Sequence, residues 1–215
     1  MIKNCLVIGC GSHAHSVISI IESSLEKYKI IGLVDTENNY NHLEEKSGYK
    51  VIASIGELIN TKARFSGIDC FLAIGDNKLR REIFGLIKSN GFKTPNVISK
   101  TAFVDRTVKM GEGNVISHGS IINSQSSLGS NNLINTGSII EHDCLLGQHN
   151  HIGPKAVVCG NVKIGDLVFL GAGSIVLPKV NICDEIILGA GSLLKTNVLI
   201  KKSTFVGTPA KEIHK

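Results

Sequence analysis

Tryptophan is absent from the 215 residues, aromatic side chains make up only 5%, and there are 4 prolines and 2 methionines. A core so poor in rings has to be built from aliphatic side chains in layers. So few prolines beside 23 glycines exclude a collagen-like or disordered chain. CxxC pairs are missing as well: Cys5, Cys10, Cys70, Cys144, Cys159 and Cys183 are scattered without regular spacing, which reads as reduced thiols rather than a disulfide framework. No apolar run approaches the roughly 18 residues of a membrane span. The N-terminal segment has no long apolar stretch of the signal-peptide kind, so neither membrane insertion nor export is expected, and the expected location is the cytoplasm. The net charge of +5 contains no long Lys/Arg run. That argues against a nucleic-acid arm and suits small anionic ligands.

What the sequence does have is a repeat. Stepping by six from Val104 gives Met110, Ile116, Ile122, Leu128, Ile134, Ile140, Leu146, Ile152, Val158, Ile164, Leu170, Val176, Ile182, Leu188 and Leu194, with no slip. Glycine often follows the aliphatic residue, as at Gly111, Gly129, Gly147, Gly153, Gly165, Gly171 and Gly189. Two positions before it the residue is often small or β-branched, as at Ala102, Ser120, Ser126, Ser138, Ala156, Val162 and Ser174. A period of six describes a triangular coil: each hexad is one short strand and a corner, and three hexads close an 18-residue rung. Five rungs stacked at strand spacing would stand roughly 24 Å tall.

The first hundred residues follow a different pattern. Residues 3–8 form a short apolar run entering Gly9-Cys10-Gly11-Ser12-His13-Ala14, and a helical pattern continues through Val17, Ile18, Ile21 and Leu25. Residues 30–34 read as a second strand ending at Asp35, residues 68–74 as a third closed by Gly75-Asp76-Asn77, and residues 77–89 as a helix. Strand, glycine-rich turn and helix in succession describe a small parallel α/β domain. The expected division is therefore 1–97, Rossmann-like, and 98–215, a parallel β-helix with a tail that composition alone makes a loop.

The turn at 9–14 has the G-x-G-x-x-G/A form after a strand and before a helix, with Asp35 ending the next strand. It reads as a phosphate cradle for a nucleotide-linked sugar or as a structural tight turn. A nicotinamide site is disfavoured, because about 95 residues amount to one mononucleotide half of such a domain. In the repeat region, 18-residue stacking puts Ser124 below His142 and Gly160 above it, so the imidazole projects between small neighbours with Glu141 and Asp143 beside it. The alternative is an exposed polar corner residue. His151 lies half a rung on, roughly 10 Å or more away within one chain. His118 and His149 read as surface residues.

The segments Ile140-Glu141-His142-Asp143-Cys144, His151-Ile152 and Gly160-Asn161-Val162-Lys163-Ile164-Gly165 resemble the sialic-acid-type sugar O-acyltransferase family. So do Gly9-Cys10-Gly11-Ser12-His13, Ala73-Ile74-Gly75-Asp76-Asn77 and Val206-Gly207-Thr208-Pro209-Ala210. The family includes bacterial N-acetyltransferases of nucleotide-linked 4-amino-4,6-dideoxysugars. The resemblance implies a left-handed β-helix, a homotrimer with active sites at subunit interfaces, acetyl-CoA as co-substrate and no metal. The histidines here lack the spacing of the hexapeptide-repeat carbonic anhydrases. His142 matches the catalytic base, with Asp143 as its acidic support. His151, Gly160, Ala172 and Ala190 match the acetyl-CoA contacts, and His13, Ala14, His15, Asp35, Thr36 and Gly75 match the sugar-nucleotide pocket. Ser12 and Thr36 depart from the common pattern and leave UDP or GDP open. The implied reaction is direct N-acetylation of such a sugar, feeding surface polysaccharide biosynthesis. O-acetylation of a sialic-acid-like sugar and a non-catalytic β-helix subunit are the alternatives.

Overall fold

The computed structural model describes residues 2–37 and 45–213. The chain divides into two compact units, Met1–Lys100 and Thr101–Lys215.

In the first unit the order is β1 (Lys3–Ile8), α1 (His13–Ser23), β2 (Tyr28–Asp35), β3 (Glu45–Lys46), β4 (Tyr49–Ser54), α2 (Ile55–Asn60), β5 (Asp69–Leu72) and α3 (Asn77–Ser89). The sheet order is β3-β4-β2-β1-β5, parallel except for the β3–β4 hairpin. The interior strand β1 carries Cys5, Leu6, Val7 and Ile8 at 0% exposure, as expected of a parallel strand covered on both faces. From β1 the chain winds outward through β2 to β4, then crosses back to place β5 on the other side of β1, so the direction of winding reverses there. The crevice at the carboxyl ends of the strands opens at that switch point. The short helix α2 is set by a capping box: Ser54 Oγ accepts from Glu57 N at 3.2 Å, and Glu57 Oε2 accepts from Ser54 N at 3.0 Å.

The second unit is a three-sided parallel coil. One face stacks Phe103, Ile121, Ile139, Val157, Ile175 and Leu193 in register. A second stacks Lys109, Ser127, Leu145, Lys163 and Asn181. The third stacks Val115, Leu133, His151, Phe169 and Ile187. These residues alternate with an inward set and, apart from the buried Val115 and Leu133, are half-buried or exposed; from Ile116 to Leu194 the inward set is buried at every step of six. Where composition suggested a loop, the C-terminus forms two antiparallel strands, Thr204–Gly207 and Ala210–Ile213. The first pairs with the rung below through Ile187 and Leu188, so backbone hydrogen bonding to an open coil end outweighs the local turn signal.

One corner is lined inside by a buried amide ladder. Asn114 Oδ1 accepts from Asn132 N at 2.9 Å, Asn132 Oδ1 from Asn150 N at 2.8 Å, and Asn150 Oδ1 from Val168 N at 2.7 Å. Asn132 Nδ2 also donates to Gly147 O at 3.0 Å. Asn132→Ala removes the acceptor of the buried Asn150 N and the donor to Asn114 Oδ1 and Gly147 O. It is expected to destabilise the protein by about 2–3 kcal/mol. A chemical-denaturation midpoint unchanged from wild type would show that the ladder carries no such load.

Candidate active site

His142 occupies the corner between the first and second faces, following the inward Ile140. Its neighbour Asp143 has φ +60°, the left-handed conformation that turns a corner and that Asp tolerates better than most residues. That turn brings Asp143 Oδ2 to 2.8 Å from His142 Nδ1. An ionised carboxylate only accepts, so Nδ1 carries the hydrogen and Nε2 of the neutral ring presents a lone pair. Glu141 is engaged elsewhere: its Oε2 accepts from Asn123 Nδ2 at 3.0 Å. Both His142 and Asp143 are about half exposed.

The imidazole lies against the next rung at Gly160. A Cβ on Gly160 would stand 2.8 Å from both Cε1 and Nε2 of His142, so glycine is what allows the ring its place. The backbone joins the same two positions, Asn161 N donating to His142 O at 3.0 Å. Cys144 is fully buried, with Sγ 3.2 Å from Cys159 O, and burial pushes its thiol up to about 11. A group that is buried and protonated is poorly suited to act as a nucleophile.

His151 sits on the third face, half-buried, its ring edge-on to Phe169 with centroids 5.1 Å apart. Asn135 Nδ2 lies 3.1 Å from His151 Nε2, and Asn135 Oδ1 accepts from Thr136 N at 2.7 Å. With its oxygen committed to Thr136, Asn135 presents its NH₂ to the ring. His151 Nε2 is then the acceptor and Nδ1 the protonated nitrogen. Asn135 and Phe169, the neighbours of this ring, carry no sequence signal: nothing in a corner Asn or an outward Phe marks them before the rungs are stacked. Ala172 and Ala190 are exposed and stand one rung apart, packed so closely over Gly153 and Gly171 that a Cβ on either glycine would approach their amide nitrogens within 3.0 Å. His118 and His149, read as surface, are half-buried, with His149 Nδ1 2.9 Å from Asn131 Nδ2. Among the described residues no three His, Cys, Asp or Glu side chains gather as a metal site.

In the first unit a cleft of about 510 Å³ opens at the switch point, walled by Gly9, His13, Asp35, Thr36, Gly75 and Asp76 among others. It lies at the N-terminus of α1, where backbone N–H groups favour an anion. Gly9 has φ +111°, and a Cβ there would come 2.9 Å from Ala73 O, so the two turns touch. His13 is half-buried; burial first and the charge of Arg80 second hold its imidazole below the usual range. Ala14 is fully buried on the inner side of α1, and His15 points to solvent with Nδ1 2.8 Å from Ser47 Oγ. Neither belongs to the cleft wall among the described residues.

A strict hexapeptide coil bearing a carboxylate-supported histidine on one corner, joined to an α/β unit with a nucleotide-type crevice, defines a hexapeptide-repeat transferase. Residues 4–87 match the PglD N-terminal domain, and residues 143–178 match the six-repeat bacterial transferase hexapeptide. No curated protein sequence matches the chain. Among solved structures, a histidine-to-asparagine mutant of perosamine N-acetyltransferase from Caulobacter crescentus, in complex with CoA and GDP-perosamine, is 32% identical. It covers 99% of this chain and 97% of that one, with a TM-score of 0.90. PerB from the same organism, also with CoA and GDP-perosamine, is 33% identical over the same spans with a TM-score of 0.88. The acetyltransferase domain of PglB from Neisseria gonorrhoeae FA1090, in complex with acetyl coenzyme A, is 27% identical, covers 99% of this chain and all of that one, and has a TM-score of 0.89. The chain belongs to the hexapeptide-repeat nucleotide-sugar N-acetyltransferases, and its coil is the left-handed β-helix of that family.

Proposed function

We propose that this protein transfers acetyl from acetyl-CoA to the 4-amino group of a nucleotide-linked 4-amino-4,6-dideoxysugar. The observation that carries the reading is the His142–Asp143 pair, its Nε2 lone pair held at a corner that Gly160 keeps open. The amine attacks the thioester carbonyl while Nε2 accepts its proton. The C–N bond forms, the C–S bond breaks, and coenzyme A leaves as thiolate, to be protonated in turn. Asp143 fixes the tautomer and stabilises the imidazolium; such base catalysis contributes about 10²–10⁴-fold. Family resemblance assigns the Gly160 N–H to the thioester oxygen, a contact of the kind worth about 3 kcal/mol. It also assigns His151, Ala172 and Ala190 to acetyl-CoA, and His13, Asp35, Thr36 and Gly75, with Ala14 and His15 beside them, to the nucleotide sugar.

The active assembly in this reading is a homotrimer with its sites at subunit interfaces. Support comes from the first face of the coil, whose outward residues Phe103, Ile121, Ile139, Val157, Ile175 and Leu193 are all apolar. A continuous apolar stripe of this kind marks a protein–protein contact. The reaction belongs to the cytoplasm, where its donor is found, and its product to surface polysaccharide biosynthesis. Among the described residues no helix is long and apolar enough to cross a membrane.

Light scattering on the purified protein is expected to give three times the 23.0 kDa of the chain. A thiol-release assay with acetyl-CoA and UDP- and GDP-linked 4-amino sugars is expected to respond to one nucleotide series, with GDP-perosamine the first acceptor to try. Release with a free sialic acid alone would replace N- by O-acetylation, and silence with every acceptor would leave a non-catalytic subunit.

A further inference from the structure

Arg80 is the largest fully buried side chain described in the protein, at 0% exposure. It lies one turn into α3, its backbone N donating to Asp76 O at 2.9 Å. Its guanidinium reaches back under the turn that precedes the helix: Nη1 donates to Ile74 O at 3.1 Å and to Gly75 O at 3.2 Å, and Nη2 to Asn77 Oδ1 at 2.7 Å. Asp76, the acid that pulls on Arg80, uses Oδ1 to cap α3, accepting from Lys78 N and Leu79 N. Taking a charged side chain fully out of water is costly, and a well-packed apolar side chain of similar volume would hold a helix to a sheet more cheaply. A charge kept in such a place points to a use.

The use is set by what Arg80 holds. Ala73, Ile74, Gly75 and Asp76 form one wall of the N-terminal cleft, against which the Gly9 turn packs. In a trans peptide the N–H points opposite to the C=O. Tying the carbonyls of Ile74 and Gly75 to Arg80 therefore turns the N–H groups of Gly75 and Asp76 away from the guanidinium. We propose that Arg80 is a positioning residue of this cleft, fixing the ledge at residues 74–76 and supplying from beneath it the positive field that seats the diphosphate of a nucleotide-linked sugar. The inference rests on the reading of the cleft as the nucleotide-sugar pocket. The field reaches the cleft wall, since the charge of Arg80 is the second cause, after burial, that holds His13 below its usual range. Asp35, Glu37 and Asp76 line the same cleft and would repel a diphosphate, which makes a buried counter-charge more valuable there.

The test compares wild type, Arg80→Met and Arg80→Lys by calorimetric titration with GDP and with UDP, and with acetyl-CoA as a control for an intact β-helix. Arg80→Met is expected to weaken binding of the preferred nucleotide by about tenfold or more, and Arg80→Lys, which keeps the charge but loses the planar fork, by less. Acetyl-CoA affinity should stay within about twofold in both. An NMR titration supplies a readout that a merely structural role would not move: the His13 imidazole should titrate at higher pH in Arg80→Met and stay near wild type in Arg80→Lys. Should Arg80→Met not fold, Arg80→Lys carries the test through its nucleotide affinity. Wild-type nucleotide affinity in a folded Arg80→Met, or a His13 titration that does not move, overturns the proposal alone. Wild-type protein that binds neither nucleotide overturns the pocket reading and this inference together.

Discussion

His142→Ala is expected to lower kcat for acetyl transfer by about 10²–10⁴-fold while acetyl-CoA still binds. The size of the effect follows from the geometry. The carboxylate of Asp143, 2.8 Å from Nδ1, commits the ring to the tautomer whose Nε2 accepts a proton. No neighbour can take over: Glu141 is bonded to Asn123, and Cys144 is buried with its thiol pushed up to about 11. The fold should not suffer, because His142 is half exposed and its backbone, which anchors the next rung through Asn161, is unchanged. Steady-state kinetics with saturating acetyl-CoA separate the two effects. A variant that retains more than a tenth of wild-type kcat would move the base elsewhere.

The second large effect is expected at a residue with no side chain. Gly160→Ala should cut kcat by about 100-fold, with a loss of stability under about 1 kcal/mol. The new methyl would lie 2.8 Å from Cε1 and Nε2 of His142. Something must move, and the mobile partner is the end of an exposed imidazole rather than backbone. Gly160 is not among the positive-φ glycines, so alanine meets no backbone strain there. The ring is thus displaced while the coil stays intact, and displacements near an ångström cost rate more than stability. Unchanged thermal unfolding beside a collapsed kcat is the expected pair of results. Equal losses in both would show that Gly160 is needed for folding rather than for the ring.

The strict step of six made the coil legible from sequence, because one inward aliphatic per strand is a geometric necessity of a three-sided prism. The strand Lys3–Ile8 and the helix Asn77–Ser89 were equally readable. Leu25 continues the helical pattern of the sequence but not the helix: the chain leaves helical geometry at Ser24, whose Oγ donates to Ile21 O and Glu26 O, and Leu25 is 81% exposed. The Ser54–Glu57 spacing of the capping box is a local signal for α2, whereas the hairpin around Ser47 and Gly48, both with positive φ, is set by a two-residue turn with little pattern around it. At the site, the stacking of Ser124, His142 and Gly160 followed from arithmetic on 18 residues. The choice between Glu141 and Asp143 did not. It is decided by the left-handed corner at Asp143 and by Asn123 one rung below, neither of which leaves a mark in composition. Arg80 leaves no mark for the same reason: beside Arg81 in an amphipathic helix it reads as solvated surface until the turn before the helix is seen to fold over it.

N-acetylation is tested most directly by coenzyme A release from acetyl-CoA with GDP-perosamine compared with its 4-hydroxy counterpart under identical conditions. Release with the 4-amino sugar, a product acetylated on nitrogen, and background rates with the hydroxyl compound are the expected results. Equal or faster release with the hydroxyl sugar would contradict N-acetylation and make this chain an O-acetyltransferase.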